Sequence, residues 1–111
     1  DLKDGRSIHE ILKAISPPDV PTLLIGDFNI TPEDKRLAPL AARFIDTCAV
    51  LDTASAKEVR KRGTFAASKR RIDYVFADKA HFTVKAARLG AAPHRKASDH
   101  IAYIAELGFA N

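Results

Sequence analysis

The sequence has no methionine and no tryptophan, and its only cysteine is Cys48. A single thiol allows no disulfide within the chain, so the fold must rest on its core. Nothing argues for an oxidising compartment, and a reducing, cytoplasmic setting is the expectation. No apolar run reaches the roughly 18 residues that a membrane-spanning helix needs. No signal-peptide pattern is visible. The missing methionine, with aspartate as the first residue, sets the expectation that these residues are a piece of a longer chain. Aromatic residues are few, at 7%, and do not interleave with the basic ones as they do where bases of single-stranded nucleic acid stack. What is present is enough for one ordinary domain. Hydrophobic residues make up 46% of the 111, which argues against disorder. Lys and Arg number 18 against 14 Asp and Glu, an excess that favours anionic partners without naming one.

Along the chain, Ile8, Ile11, Leu12 and Ile15 fall at helical spacing and predict a helix over residues 4–16. Asp4 or Ser7 is its expected cap, with Glu10 at capping-box distance from Ser7. Pro17 and Pro18 end it. Leu23-Leu24-Ile25-Gly26-Asp27-Phe28-Asn29 then reads as a strand buried on both sides, closing in an acid and an amide. Asp27 and Asn29 project to one side while the chain stays extended. Both residues are also common turn caps, and that reading is equally open. Thr31-Pro32-Glu33-Asp34 carries the marks of a helix start, and Leu37, Leu40, Ala41 and Phe44 supply its apolar stripe. Asp46 and Asp52 read as turn or cap residues. The basic stretch from Lys57 to Arg62 reads as a solvated loop, with a phosphate-binding arm as the alternative.

Residues 72–77 form a second strand by alternation, which puts Asp73 on one face with Arg71 and Val75. An acid in that setting is costly to bury alone and requires a partner. Residues 82–89 and 101–107 read as two further strands. Ser98-Asp99-His100 precedes the last of them. Asp27, Asn29, Asp73, Asp99 and His100 together have a clear chemical logic. Carboxylates hold a hard divalent cation through oxygen, and an imidazole braced by an acid donates to a phosphoryl oxygen. An acid orients water for attack, so the set fits metal-assisted hydrolysis of a phosphate ester. A Ser98–His100 nucleophilic relay is discounted, since residues two apart do not form it and no nucleophile elbow surrounds Ser98. His9 is expected on the polar side of the first helix, and His81 and His94 in loops without ligand-spaced neighbours.

Gly26-Asp27-Phe28-Asn29, Thr64-Phe65, Arg71-Ile72-Asp73-Tyr74-Val75-Phe76 and Ser98-Asp99-His100 occur in this order. In these segments the chain resembles the endonuclease/exonuclease/phosphatase family, with its DNase I-like fold. The resemblance implies an α/β architecture, here the C-terminal half of a four-layered α/β sandwich with a mixed sheet and flanking helices. It further implies that Asp27 orients the attacking water and Asn29 contacts the scissile phosphate. Asp73 would accept from His100, His100 would polarise the phosphoryl group, and Asp99 would join Asp27 at a Mg2+ (or Mn2+) site. Thr64 would support the wall of the site. Arg71 is the further candidate for phosphate contact, or else a salt-bridge partner on the sheet surface.

Family members are longer, and their earlier half supplies an asparagine, the main metal-binding glutamate, a tyrosine and a histidine with no match here. Glu10, Glu33, Glu58 and Glu106 stand in the wrong contexts to replace that glutamate, and Ala102 stands where a proline is usual. Residues 1–111 are therefore expected to be the C-terminal portion of one domain, inactive alone. Its open apolar sheet face would be covered by the missing N-terminal half or by self-association. The expected partner is a phosphate-ester substrate, nucleic acid among the possibilities. The alternative from a different class is a basic nucleic-acid-binding module without catalysis, using Arg60, Lys61, Arg62, Lys69, Arg70, Arg71, Arg95 and Lys96. Such binding weakens steeply with salt.

Overall fold

The computed structural model describes residues 6–65, 67–90 and 98–110. Helix α1 spans Arg6–Ala14, and strand β1 spans Leu23–Asp27. A 3₁₀ helix, Lys35–Ala42, leads into the short β2, Phe44–Asp46. A second 3₁₀ turn, Thr47–Val50, precedes α2, Thr53–Arg62. Strands β3, Asp73–Asp78, β4, Phe82–Leu89, and β5, Tyr103–Phe109, complete the order. The architecture is α/β. The strands form a three-stranded sheet in the order β1-β3-β2 and a two-stranded sheet of β4 and β5. Among the described strands every pairing is antiparallel, so the mixed sheet expected from the sequence is not seen there.

The stripe on α1 does what its spacing predicts. Ile8 is fully buried, and Ile11, Leu12 and Ile15 pack beside it on a cluster of Phe28, Leu40, Phe44, Tyr74 and Phe76. The phenol of Tyr74 is satisfied in that core by donating to the Ile30 carbonyl at 2.7 Å. A second cluster joins Cys48 and Val59 to Leu89 and Ile101, which seats α2 against the smaller sheet. Asp4 and the side chain of Ser7, the expected caps of α1, lie outside what is described. So do His94, Arg95 and Lys96. His9 is exposed, as expected.

Four expectations need correction. First, β1 is not buried on both sides. Leu24 faces the core, whereas Ile25 is 63% exposed and Leu23 is open as well, because α1 covers only one face of the sheet. Second, Thr31–Asp34 is a turn and not an α-helix start. Asp34 caps the 3₁₀ segment by accepting from the Arg36 N–H, and Pro39 inside it lacks the donor an α-helix needs there. Phe44 accordingly belongs to β2. Third, the basic stretch 57–62 is helical, not a loop. Asp52 caps α2 by accepting from the Ser55 N–H, and Val59 anchors it. Fourth, His81 has a partner after all, the buried Asp78 three residues before it, at 2.7 Å. Asp46 and Asp52 are caps, as expected. Among the described residues no helix is long and apolar enough to cross a membrane.

Candidate functional site

The ladder between β1 and β3 places residues directly opposite one another: Leu23 with Ala77, Ile25 with Val75, and Asp27 with Asp73. Opposed residues in an antiparallel pair share a face. The two acids therefore stand side by side at one end of the open face, where like charges destabilise the ladder unless a cation lies near. His100 supplies it. Its Nδ1 is 2.7 Å from an Asp73 carboxylate oxygen, and its Nε2 is 3.7 Å from Oδ2 of Asp27. Ligand atoms from Asp27, Asp73 and His100 all lie within 4.8 Å of one another. Asp99 lies near the same nitrogen, its Oδ1 at 3.9 Å from Nε2 and its side chain 71% exposed.

What carries His100 to the strand ends is the segment Thr64-Phe65. The Phe65 backbone bridges to both Arg70 and His100, and the Thr64 carbonyl accepts from the Ile101 N–H at 2.7 Å. The Thr64 hydroxyl, fully buried, accepts from the N–H groups of Ile72 and Asp73 at 2.9 and 3.1 Å. One side chain thus ties the start of β3 to the segment that carries His100. This is the supporting role expected of Thr64. The Phe65 ring packs against the imidazole at 5.1 Å between centroids. Spacing along the chain gave no sign of that contact. Ser98 accepts from the His100 N–H at 3.0 Å and serves as a turn residue.

Asn29 departs from the extended geometry expected of it. Its φ is +58°, a left-handed conformation that asparagine tolerates better than most residues, and its N–H turns back to Oδ1 of Asp27 at 2.8 Å. The turn-cap reading of Asp27 is the one observed. One carboxylate oxygen caps the turn, and the other faces His100. Asn29 is exposed at the same strand end. Arg71 lies elsewhere. It is 9% exposed, pairs with Asp46 and stacks over the Tyr74 ring at 4.4 Å. The alternation that placed it beside Asp73 fails because β3 begins only at Asp73. The salt-bridge reading of Arg71 is the one observed, although the partner is half buried and not on the open surface.

The hydrogen bond to Asp73 raises the pKa of His100 above its usual 6.5. The charges of Asp73, Asp27 and Asp99 add to this, and burial opposes it. The side chains that could hold a metal ion together are Asp27, Asp73 and His100, whose ligand atoms lie within 4.8 Å of one another. Exposed carboxylates of this kind suit a hard divalent cation, so the donor set fits one.

No curated protein and no solved structure matches the chain significantly. The model of the endonuclease/exonuclease/phosphatase family matches residues 3–100, a span that includes Asp27, Asn29, Thr64, Asp73, Asp99 and His100. The chain belongs to the endonuclease/exonuclease/phosphatase family.

Proposed function

We propose that this chain carries the catalytic acids and the histidine of a divalent-metal-dependent phosphoesterase that cleaves phosphate esters with activated water. The observation that supports it most is the convergence of Asp27, Asp73 and His100 from three distant segments on one exposed strand end. Asp73 holds Nδ1–H, which fixes the ring and leaves Nε2–H directed toward Asp27 and Asp99. There it donates to a non-bridging phosphoryl oxygen and stabilises the charge that develops on it. The free oxygen of Asp27 orients water in line with the phosphorus and takes its proton as the new P–O bond forms and the ester P–O bond breaks. Asn29, turned out at the same strand end, contacts the phosphate beside it. Asp27 and Asp99 would hold Mg2+ or Mn2+, which when bound neutralises phosphate charge.

The open face bearing Leu23 and Ile25 supports the further reading that residues 1–111 are the later half of one domain, whose remainder covers that face. On this reading the 111 residues alone are inactive. The test is hydrolysis of bis(p-nitrophenyl) phosphate by the full-length protein with Mg2+, with and without EDTA. Asp27→Ala and His100→Ala should each lower kcat by about 100-fold or more. Full activity in both variants, or full activity in EDTA, would overturn the mechanism.

A further inference from the structure

The basic run that ends α2 divides between two sides of the helix, because residues two apart on a helix point nearly opposite ways. Arg62 turns to Glu58 and to the Gly90 carbonyl, at 3.1 and 2.7 Å. Arg60 instead lines a cavity of about 440 Å³, within the range of small-molecule sites. The floor and the rim of this cavity differ in chemistry. Its buried lining residues are Cys48, Val59 and Arg71, with Ala56 half-buried beside them. Burial pushes the Cys48 thiol up, so it stays uncharged and acts as apolar surface. Arg71 gives one terminal nitrogen to Asp46, and the two are neutral as a pair. Its Nε–H is buried as well and has no partner among the described residues. A buried donor left unpaired costs free energy that an acceptor oxygen in the cavity would recover. At the exposed rim stand Arg60, Lys69 and Arg70. They face one acid, Glu33, whose carboxylate is engaged by the Thr31 hydroxyl. Arg70 also donates to the Asn29 carbonyl at 3.4 Å and keeps its charge in doing so.

We propose that this cavity binds a small monocarboxylic acid with a flat apolar body and one neutral acceptor oxygen. The body lies on Cys48, Ala56 and Val59, and the acceptor oxygen takes the Nε–H of Arg71. The carboxylate stays at the rim, where Arg60, Lys69 and Arg70 leave a positive excess over Glu33. Other ligand classes fit less well. A phosphate dianion gains nothing from apolar walls, and the neutral Arg71–Asp46 pair gives it no net attraction to the floor. A wholly apolar molecule would leave the Nε–H unpaired and the rim cations unused. None of the residues that hold the acid belongs to the cluster of Asp27, Asp73 and His100, so the inference stands apart from the phosphoesterase reading.

The test is NMR of the full-length protein during titration with hippurate, the anion of N-benzoylglycine. It carries one carboxylate, one amide oxygen and one flat ring. The Ala56 and Val59 methyl signals and the Arg71 Nε–H signal should shift and saturate together. N-methylbenzamide, which lacks the carboxylate, should bind more weakly by about tenfold or more. Acetate and inorganic phosphate should leave the methyl signals in place. The double variant Arg60→Glu, Lys69→Glu should weaken hippurate binding by about tenfold or more, as like charges meet the carboxylate. Both positions are exposed, and an amide spectrum unchanged elsewhere verifies that the variant folds. Absence of methyl shifts at millimolar hippurate would overturn the proposal. So would equal shifts from acetate or phosphate, which would mark a bare anion site. Equal affinity for N-methylbenzamide would overturn it too, since the acid would then contribute nothing. A stationary Arg71 Nε–H signal would remove the floor contact and the proposal with it. Ester hydrolysis enters none of these readouts, so this proposal and the previous one fail separately.

Discussion

Asp27 and Asp73 oppose each other across a strand pair, and the imidazole of His100 offsets their repulsion by bonding one and facing the other. Because the folded protein holds this proton more tightly than the unfolded chain does, its contribution to stability is complete below pH 6.5. It is lost as pH rises through the raised folded value. In Asp73→Asn the ring pKa should fall toward 6.5, followed by NMR titration of the His100 ring protons, and the decline in urea stability above pH 6.5 should flatten. A ring pKa that does not move would show that Asp73 is not what holds the proton. At Asn29 the backbone and the amide have separable effects. Asn29→Gly keeps the left-handed turn and removes the amide, so it should lose activity without losing stability. Asn29→Ala should lose both, because its Cβ disfavours φ of +58°. Thr64 has one hydroxyl accepting from two buried N–H groups. Thr64→Val strands both donors and should cost about 2–4 kcal/mol in urea denaturation, while Thr64→Ser should restore most of it.

At the scale of elements, α2 ends where it does because of Gly63, with φ of +62° and ψ of −168°, a region open almost only to glycine. A Cβ there would stand 2.4 Å from the backbone carbon of Lys69, with no flexible side chain to give way. Gly63→Ala should therefore destabilise the protein by about 2–6 kcal/mol, from strain and overpacking together, readable by thermal unfolding. The same residues explain why α2 was hard to foresee. Val59 is its one buried position, so no apolar stripe announces a helix, and its charges look like a solvated loop. By contrast α1 shows a full stripe and was legible. The segment after Thr31 misled in the opposite direction. Proline and acids there resemble an α-helix start, but Pro39 and the short approach to β2 leave only a 3₁₀ helix.

For the molecule as a whole, the two sheet faces differ in what they contribute. Ile8 is fully buried against the inner face, and Ile8→Ala should cost about 2–5 kcal/mol by loss of transfer energy and creation of a cavity. Ile25, 63% exposed on the other face, should tolerate Ser with a change within about 0.5 kcal/mol. Urea midpoints of the two variants compare the faces directly. Comparable losses at both positions would mean that Ile25 is covered in solution. This asymmetry was not legible in Leu23–Ile25, because an apolar run has the same composition whether one side or both are packed.

The sequence by itself determined that strands lie within 23–29 and about 72–77, that a helix lies within 4–16, and which chemical types meet at the site, since periodicity and side-chain chemistry are local properties. Only the tertiary structure decided that β3 pairs with β1 in the register that opposes Asp27 to Asp73, and that Thr64-Phe65 brings His100 to them. It also decided that Arg71 turns to Asp46, away from the site, and that Arg60, Lys69 and Arg70 share a cavity. Those are contacts between residues far apart in the chain, fixed by backbone pairing and by which faces can be buried together, and no window of sequence contains both partners.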